Sequence, residues 1–383
     1  MKTNFKSILV AIAGIACGSV TAGEIGHGPT GGKQPLALSQ TPLVEESFSI
    51  CDLWDYTTLY QGDNPFIQEF KLTGRYHGQY FYADADEQGD AEYWDTRRWR
   101  LGFGMDFLNN FEFGVNFNID HEGDRFFENI EDMKLKYSGI EGVDVAIGKF
   151  KPTAGREFNT SSNRIKTIER SLITNQVLPN KIWGLAIGTE VNGLDLDLGA
   201  YAGDLDGDWN FTEFDAGYLL NAAVTYNDVR LSYLYNDGDP GNSGAKDYDH
   251  IISLSYVNYG KTGYEGLGFF AEAIYAVGDD DAWGITLMPS YMLTDRLESV
   301  LRLHVAGSEG DSGLTVQKRY DRQVDALASS KGDQYVGAYA GLNYYLCGDK
   351  LKLMGGVEYG NFDQDSGASL DVWSVLGGVR IYF

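Results

Sequence analysis

The sequence predicts an all-β protein, a 16-stranded antiparallel transmembrane β-barrel with short periplasmic turns and long extracellular loops. Three observations carry this. Apolar and polar residues alternate with period two in run after run, the pattern of a strand with a different medium on each face. The connections between runs alternate short and long. Past residue 22 no apolar stretch of about 18 residues offers a helical span. Composition agrees: 48 Gly and 14% Phe, Trp and Tyr in 383 residues, with only 8 Pro, argue against disorder and Pro-rich linkers.

Residues 1–22 read as an address. Lys2 and Lys6 precede the apolar run Ile8 to Cys17, and Val20-Thr21-Ala22 offers a small-x-small cleavage site, so a signal peptide cut after Ala22 is expected. Gly14-Ile15-Ala16 ahead of Cys17 lacks the leucine of a lipidation site. Cleavage takes the formal charge from −25 to −27 by removing two lysines. Residues 23–65 are expected to be an N-terminal periplasmic segment, and 66–383 the barrel.

The first run, Phe66 to Tyr82, puts Phe70, Leu72, Gly74, Tyr76 and Tyr80 on one parity and Glu69, Lys71, Thr73, Arg75, His77 and Gln79 on the other. The next sets Trp99, Leu101, Phe103, Met105 and Phe107 against Arg98, Arg100 and Asp106. After Asn109-Asn110, a two-residue hairpin turn, Phe111 to Ile119 opposes Glu112 to Asp120. Further strands are expected near 131–137, 143–149, 182–190, 194–201, 214–226, 229–235, 250–257, 267–276, 283–292, 297–305, 335–346, 351–359 and 372–383. Long loops fall near 83–93, 121–130, 150–181, 202–213, 236–249, 277–282, 306–334 and 360–371. Seven short turns and eight long loops place both ends of the wall on one side.

A soluble β-sandwich also alternates. It would not need aromatics at strand ends, as at Tyr80, Trp94, Tyr137, Trp183, Tyr226, Tyr256, Trp283, Tyr291 and Tyr344, which two interfacial girdles explain. The last strand ends on Phe383, which looks like the C-terminal aromatic that serves as insertion signal in outer-membrane barrels.

From Gly148 the chain reads Gly-Lys-Phe-Lys-Pro-Thr-Ala-Gly-Arg-Glu. Thr160-Ser161-Ser162-Asn163, Ile168-Glu169-Arg170-Ser171-Leu172, Pro179 and Gly184 follow. This stretch resembles the phosphate-selective porin O and P family of Gram-negative outer membranes. The likeness is sharp over 148–184, loose over 66–383 and weak over 24–65. Lys181 stands where relatives tend to have Arg, and Thr153-Ala154 replaces a more apolar pair. The resemblance implies a homotrimeric 16-stranded pore whose third loop folds in as the constriction. It does not by itself fix phosphate as the solute.

Charge supports an anion preference at one place. Between 149 and 181 the bases Lys149, Lys151, Arg156, Arg164, Lys166, Arg170 and Lys181 face only Glu157 and Glu169, a net +5 in a chain of −25. Clusters of Arg and Lys favour anions in a pore; contact with lipopolysaccharide phosphates is the blander use. On the lumen side of the first five strands Lys71, Arg75, Arg98, Arg100, Lys134 and Lys136 balance Glu69, Asp106, Glu112, Asp120, Asp132 and Asp144, which fits either a transverse field or mutual salt bridges.

The outer loops are acidic. Asp84 to Asp95 and Asp204 to Asp215 hold six and five acids with no base, suiting solvation or divalent-cation bridges to lipopolysaccharide. Asp204 to Asp208 approaches a Ca2+ loop, but Gly207 is one place early for the EF-hand spacing. No resident cofactor or metal is called for, and the acid excess speaks against nucleic acid. The five histidines form no Ser/His/Asp pattern, so an enzyme is not expected. The function expected is a passive diffusion channel for small hydrophilic solutes, anionic or neutral, in the outer membrane. A porin for sugars or oligosaccharides and a cation-preferring general porin are the alternatives; a structural or adhesion barrel and a barrel esterase stand further off.

Ile50, Leu53, Trp54 and Thr57 share helical spacing, so a short amphipathic segment is expected at the periplasmic end. Cys51 lies in it and Cys347 in a turn on the same side. In an oxidising periplasm the two could bridge; two separate buried thiols is the reading favoured here.

Overall fold

The computed structural model describes residues 49–383 apart from 86–88, 121–124, 203–216, 239–246, 260–265, 311–312, 326, 329 and 364–368. Sixteen antiparallel strands form one closed wall. They are β1 (Ile67–Asp84), β2 (Asp90–Phe107), β3 (Phe111–Asn118), β4 (Asn129–Ile140), β5 (Val143–Phe150) and β6 (Ile182–Val191). Next come β7 (Leu194–Ala202), β8 (Tyr218–Tyr226), β9 (Val229–Asn236), β10 (Tyr248–Tyr259) and β11 (Leu267–Gly278). The circuit ends with β12 (Ala282–Met292), β13 (Leu297–Ser308), β14 (Gln334–Tyr345), β15 (Leu351–Asp363) and β16 (Leu370–Tyr382). Strand β16 pairs back onto β1 from Tyr382↔Arg75 to Trp373↔Asp84. Closure removes the open edge that hydrocarbon cannot satisfy.

Alternation sets the wall. Along β13 Leu301, Leu303 and Val305 are exposed outward while Val300, Arg302 and His304 are buried inward. Trp94, Trp99, Tyr226, Tyr256, Trp283, Tyr291 and Tyr344 are exposed on the outer face; Trp183, expected with them, is only 5% exposed.

Two connections are shorter than the sequence suggested. The β1–β2 hairpin continues through Tyr82↔Glu92 and Ala83↔Ala91 to Asp84↔Asp90, so most of 83–93 is strand. Asp84, Asp90 and Glu92 stand on paired backbone, and Tyr80 donates to Glu92 at 2.7 Å. At 277–282 only 279–281 remain between β11 and β12, where Asp281 Oδ1 accepts from Gly278 N at 3.1 Å.

One irregularity re-aims side chains. His77 pairs with Arg98 but Gly78 with Thr96, so Arg97 is the extra residue of a β-bulge. A bulge shifts parity by one. Trp94 and Trp99, an odd number of positions apart, are therefore both exposed outward. On the lumen side Asp95 and Arg97 join Arg98 and Arg100.

The lumen is filled on one side only. Residues 151–181 and the described residues of 309–333, written L3 and L7 below, both pack inside. Ala154, Phe158, Leu172, Ile173, Val177 and Leu178 of L3 and Leu314, Val316, Val324 and Leu327 of L7 form a core with Leu219, Leu234, Ile274, Ala276 and Ala306 of the wall. Each large side chain so buried contributes about 1.5–3 kcal/mol. Gly284 of β12 leaves room for Ile173, whose Cγ2 would lie 2.6 Å from a Cβ there. The sequence reading placed 306–334 outside as a polar loop; instead Lys318, Tyr320, Val324 and Leu327 are all but fully buried.

Ahead of the wall a 3-10 helix, Ile50–Thr57, begins with a capping box between Ser49 and Asp52. Cys51 and Cys347 are joined by a disulfide, their Cα atoms 5.5 Å apart. This corrects the favoured reading of two free thiols: Trp54, hydrogen-bonded to the carbonyl of Tyr382, seats the helix against the closing strand and so brings the two sulfurs together. The signal-peptide stretch 1–22 and residues 23–48 lie outside the described residues.

Candidate functional site: a basic passage beside the inward loop

L3 leaves the wall at a kink. Gly148 has φ 139° and a Cβ there would meet Met133 O at 2.0 Å, so only glycine fits. Gly155, at φ 70°, opens helix α1 (Arg156–Asn159). Its first amides are received by a wall residue: Glu272 of β11 accepts from Arg156 N and, at 3.0 Å, from Glu157 N. Carboxylates favour the positive start of a helix. Glu157 repeats the device for α2 (Leu172–Val177), accepting from Ser171 N at 3.1 Å and from Ser171 Oγ at 2.6 Å.

Charged side chains then bolt L3 to the far wall. Arg302 of β13 donates to Thr167 Oγ1 at 3.0 Å and to Glu169 O. Arg380 of β16 reaches the carbonyls of Ser162 and Ile168. Lys352 of β15 donates to Ile165 O at 3.0 Å. Lys166 pairs with Glu298 of β13, which is 2% exposed. L7 is held similarly: Lys318 meets Glu358 at 2.6 Å, and Arg302 meets the same carboxylate at 2.9 Å. Tyr320 donates to Glu358 as well, and Arg319 pairs with Asp95 across the lumen.

Between L3 and strands β1 to β5 lies a cavity of about 990 Å³. Nine basic side chains line it: Arg75, Arg97, Arg98, Arg100, Lys134, Lys149, Lys151, Arg170 and Lys181. The acids there are Glu131 and Asp132. Both acids are engaged. Glu131 bonds Arg100 at 2.8 Å and Lys181 at 2.9 Å, and Asp132 also pairs with Lys181. Other cations spend their bonds on neutral groups. Arg75 donates to Ser162 Oγ at 2.8 Å and Ser161 Oγ at 3.3 Å. Lys151 donates to Phe158 O at 2.6 Å and lies 4.0 Å from that ring's centre. Arg170 donates to Glu157 O and Thr160 O at 3.0 and 2.7 Å. Neutral partners leave the positive charge unspent.

Two loop groups show the field. Burial, with Arg170 and Lys181 nearby, pushes the Lys151 ammonium well below its usual range. Burial pushes the Glu169 carboxyl up, but Arg97 and Arg98 outweigh it and hold it down at about 2.

The residues singled out in the sequence separate in space. Lys149, Lys151, Arg170 and Lys181 of the loop set, and Arg75, Arg98, Arg100 and Lys134 of the wall set, line the cavity. Arg156, Arg164 and Lys166 are not among its lining residues: Arg164 is exposed, and Lys166 is spent on Glu298. Lys71 pairs with Glu69 at 2.5 Å and Lys136 with Asp144 at 2.9 Å, so these two wall bases are spent in salt bridges. Phe383 pairs with Gly74 through two backbone bonds of 2.9 and 3.0 Å. Sequence reasoning missed Arg97, which the odd spacing of Trp94 and Trp99 betrays, and the hydroxyls of Ser161 and Ser162 that orient Arg75. The suggested Ca2+ loop at Asp204 to Asp208 lies outside the described residues.

A 16-stranded wall that leaves a lumen, narrowed by a loop packed inside it, is the architecture of an outer-membrane porin. Comparison with known proteins adds the family. Residues 70–258 match the family Phosphate-selective porin O and P. Porin O of Pseudomonas aeruginosa is 27% identical over 181 residues, 41% of this chain. The chain spans about two fifths (41%) of the length of that curated relative. Among solved structures, the anion-selective porin from Comamonas acidovorans shares 14% identity with TM-score 0.56, covering 82% of this chain and 99% of that one. The outer membrane channel DcaP of Acinetobacter baumannii shares 13% with TM-score 0.54, covering 85% and 99%. At these identities the likeness concerns the fold.

Proposed function

We propose that this porin passes small hydrophilic solutes with a preference for anions, phosphate-type oxyanions among them. The observation that carries the reading is the lining of the passage: nine bases against two acids inside a chain of net charge −25. Charges at the narrowest, least screened point act more strongly than exposed charges farther out, so the basic passage outweighs an acidic exterior. Guanidinium groups suit oxyanions because their donors match two oxygens at once. The oligosaccharide alternative wants a run of aromatic faces; among the described lining residues Phe158 is the one aromatic ring. The direct test is the reversal potential of single channels across a potassium chloride gradient, where the anion-selective sign is expected. A cation-selective sign would overturn the reading, and added phosphate should reduce chloride current if oxyanions compete for the passage.

Export through cleavage after Ala22 and assembly as a homotrimer complete the proposal. Support for the latter is a patch of linked rings on β1 to β4. Phe70–Phe103 and Phe103–Phe113 have centroids 5.9 Å apart, and Phe111–Tyr137 4.8 Å. It lies where β3 and β5 shorten to 8 residues. The mass of the mature N-terminus and of the cross-linked assembly tests both.

A further inference from the structure

The seam where the barrel closes is uneven. Strand β16 pairs with β1 only from Arg75 to Asp84, and Phe383 adds Gly74. Strand β1 runs on to Ile67, leaving a stretch of edge that the last strand never reaches. A short strand upstream, Thr58–Gln61, lies along it: Thr58↔Lys71, Tyr60↔Phe70 and Gln61↔Glu69, followed by Gly62 N to Gln68 O at 3.0 Å. The segment before the first strand thus continues the position of the last one.

Just before it, the Ile50–Thr57 helix sits on the end of β16. Trp54, 8% exposed, donates its ring N–H to Tyr382 O, and the Thr57 hydroxyl donates to Trp54 O at 2.7 Å. The disulfide then joins Cys51 to Cys347 in the turn between β14 and β15, 296 positions along the chain. One covalent bond therefore links the segment that enters β1 to the hairpin that carries β16.

We propose that residues 49–61 are an oxidation-locked clasp on the barrel seam, covering the bare edge of β1 and holding together the two ends of the wall that must meet. Bare strand edges are costly where water is scarce and invite wrong pairing. A tether raises the effective concentration of the two ends and removes most of the chain-closure cost of sealing the wall. The lock forms when the Cys51 and Cys347 thiols give up two protons and two electrons to a periplasmic disulfide oxidant, which is itself reduced to the dithiol. This inference concerns assembly and holds whatever solute the channel passes.

The test uses full-length protein in detergent, as the oxidised form, the same sample reduced after folding, and Cys51→Ser/Cys347→Ser. Hydrogen exchange is read on peptides covering 67–72 and 75–84, together with the rate of refolding into phosphatidylcholine vesicles. Expected is exchange at 69–71 at least about tenfold faster in both bond-free samples, unchanged exchange over 75–84, and refolding several-fold slower for the double variant. Should the variant fail to fold, the reduced wild type carries the exchange comparison alone. Equal exchange at 69–71 with and without the bond, or loss of protection spread equally over 75–84, would overturn the clasp.

Discussion

Nε of Arg97 donates to Oε1 of Glu169 across 2.9 Å, joining the extra residue of the β2 bulge to the loop that narrows the lumen. The bond also spends the charge of Glu169, which would otherwise oppose anions.

Acid should loosen this joint. Arg97 and Arg98 overcome the effect of burial and hold Glu169 at about 2, below the ordinary 4.5. A carboxyl depressed on folding stabilises above its unfolded pKa and loses that contribution as pH falls through the folded one. The window is therefore about 4.5 down to about 2, and the loss about 3 kcal/mol. Closures and current noise in planar bilayers should rise across that window. Glu169→Gln should show them at neutral pH, with a flat acid response.

The passage charges should set selectivity. Changing Arg98, Lys134 and Lys151 together to Gln should move the reversal potential toward cations while the heat-modifiable gel band of the folded barrel persists. Arg164→Gln, at an exposed position off the cavity wall, is the control and should leave the potential in place.

Lys151 should make that selectivity alkali-sensitive. Burial and its cationic neighbours lower its pKa well below 10.5, so it sheds its proton before an ordinary lysine as pH rises. Anion preference should therefore weaken at a lower pH than the titration of an ordinary lysine would require. Lys151→Met should begin with the weaker preference and lose the early part of the titration.

Glu358 holds two cations, Arg302 and Lys318, each all but inaccessible to water. Removing one member of such a group strands the rest, at a cost of roughly 3–5 kcal/mol. Glu358→Gln should release L7, seen as new proteolytic cleavage within 309–333 and as higher single-channel conductance.

Strand count and wall orientation were legible because hydrocarbon outside and polar lumen inside impose period two on every strand. The bulge at Arg97 was not, since one added residue changes parity without changing composition; only Trp94 and Trp99 record it. L7 was read as external because its charges, Lys318, Arg319 and Asp321, look solvated. Their partners Glu358, Asp95 and Ser374 come from distant strands. The apolar spacing of Val316, Tyr320, Val324 and Leu327 was the usable signal. Net charge of 149–181 singles out one loop, yet a sum cannot tell Lys151, which lines the cavity, from Lys166, spent on Glu298.

The apolar packing of Leu172, Ile173, Val177 and Leu178 against Ile274 and Ala276 puts a globular-protein interior inside a membrane wall. Bore and rigidity are thus decoupled from strand number. A single cavity-forming change such as Ile173→Ala alters the width of the conduit while every rung of the backbone ladder stays in place. Evolution can retune which solutes pass by editing a plug, at no risk to the cylinder that the membrane insists upon.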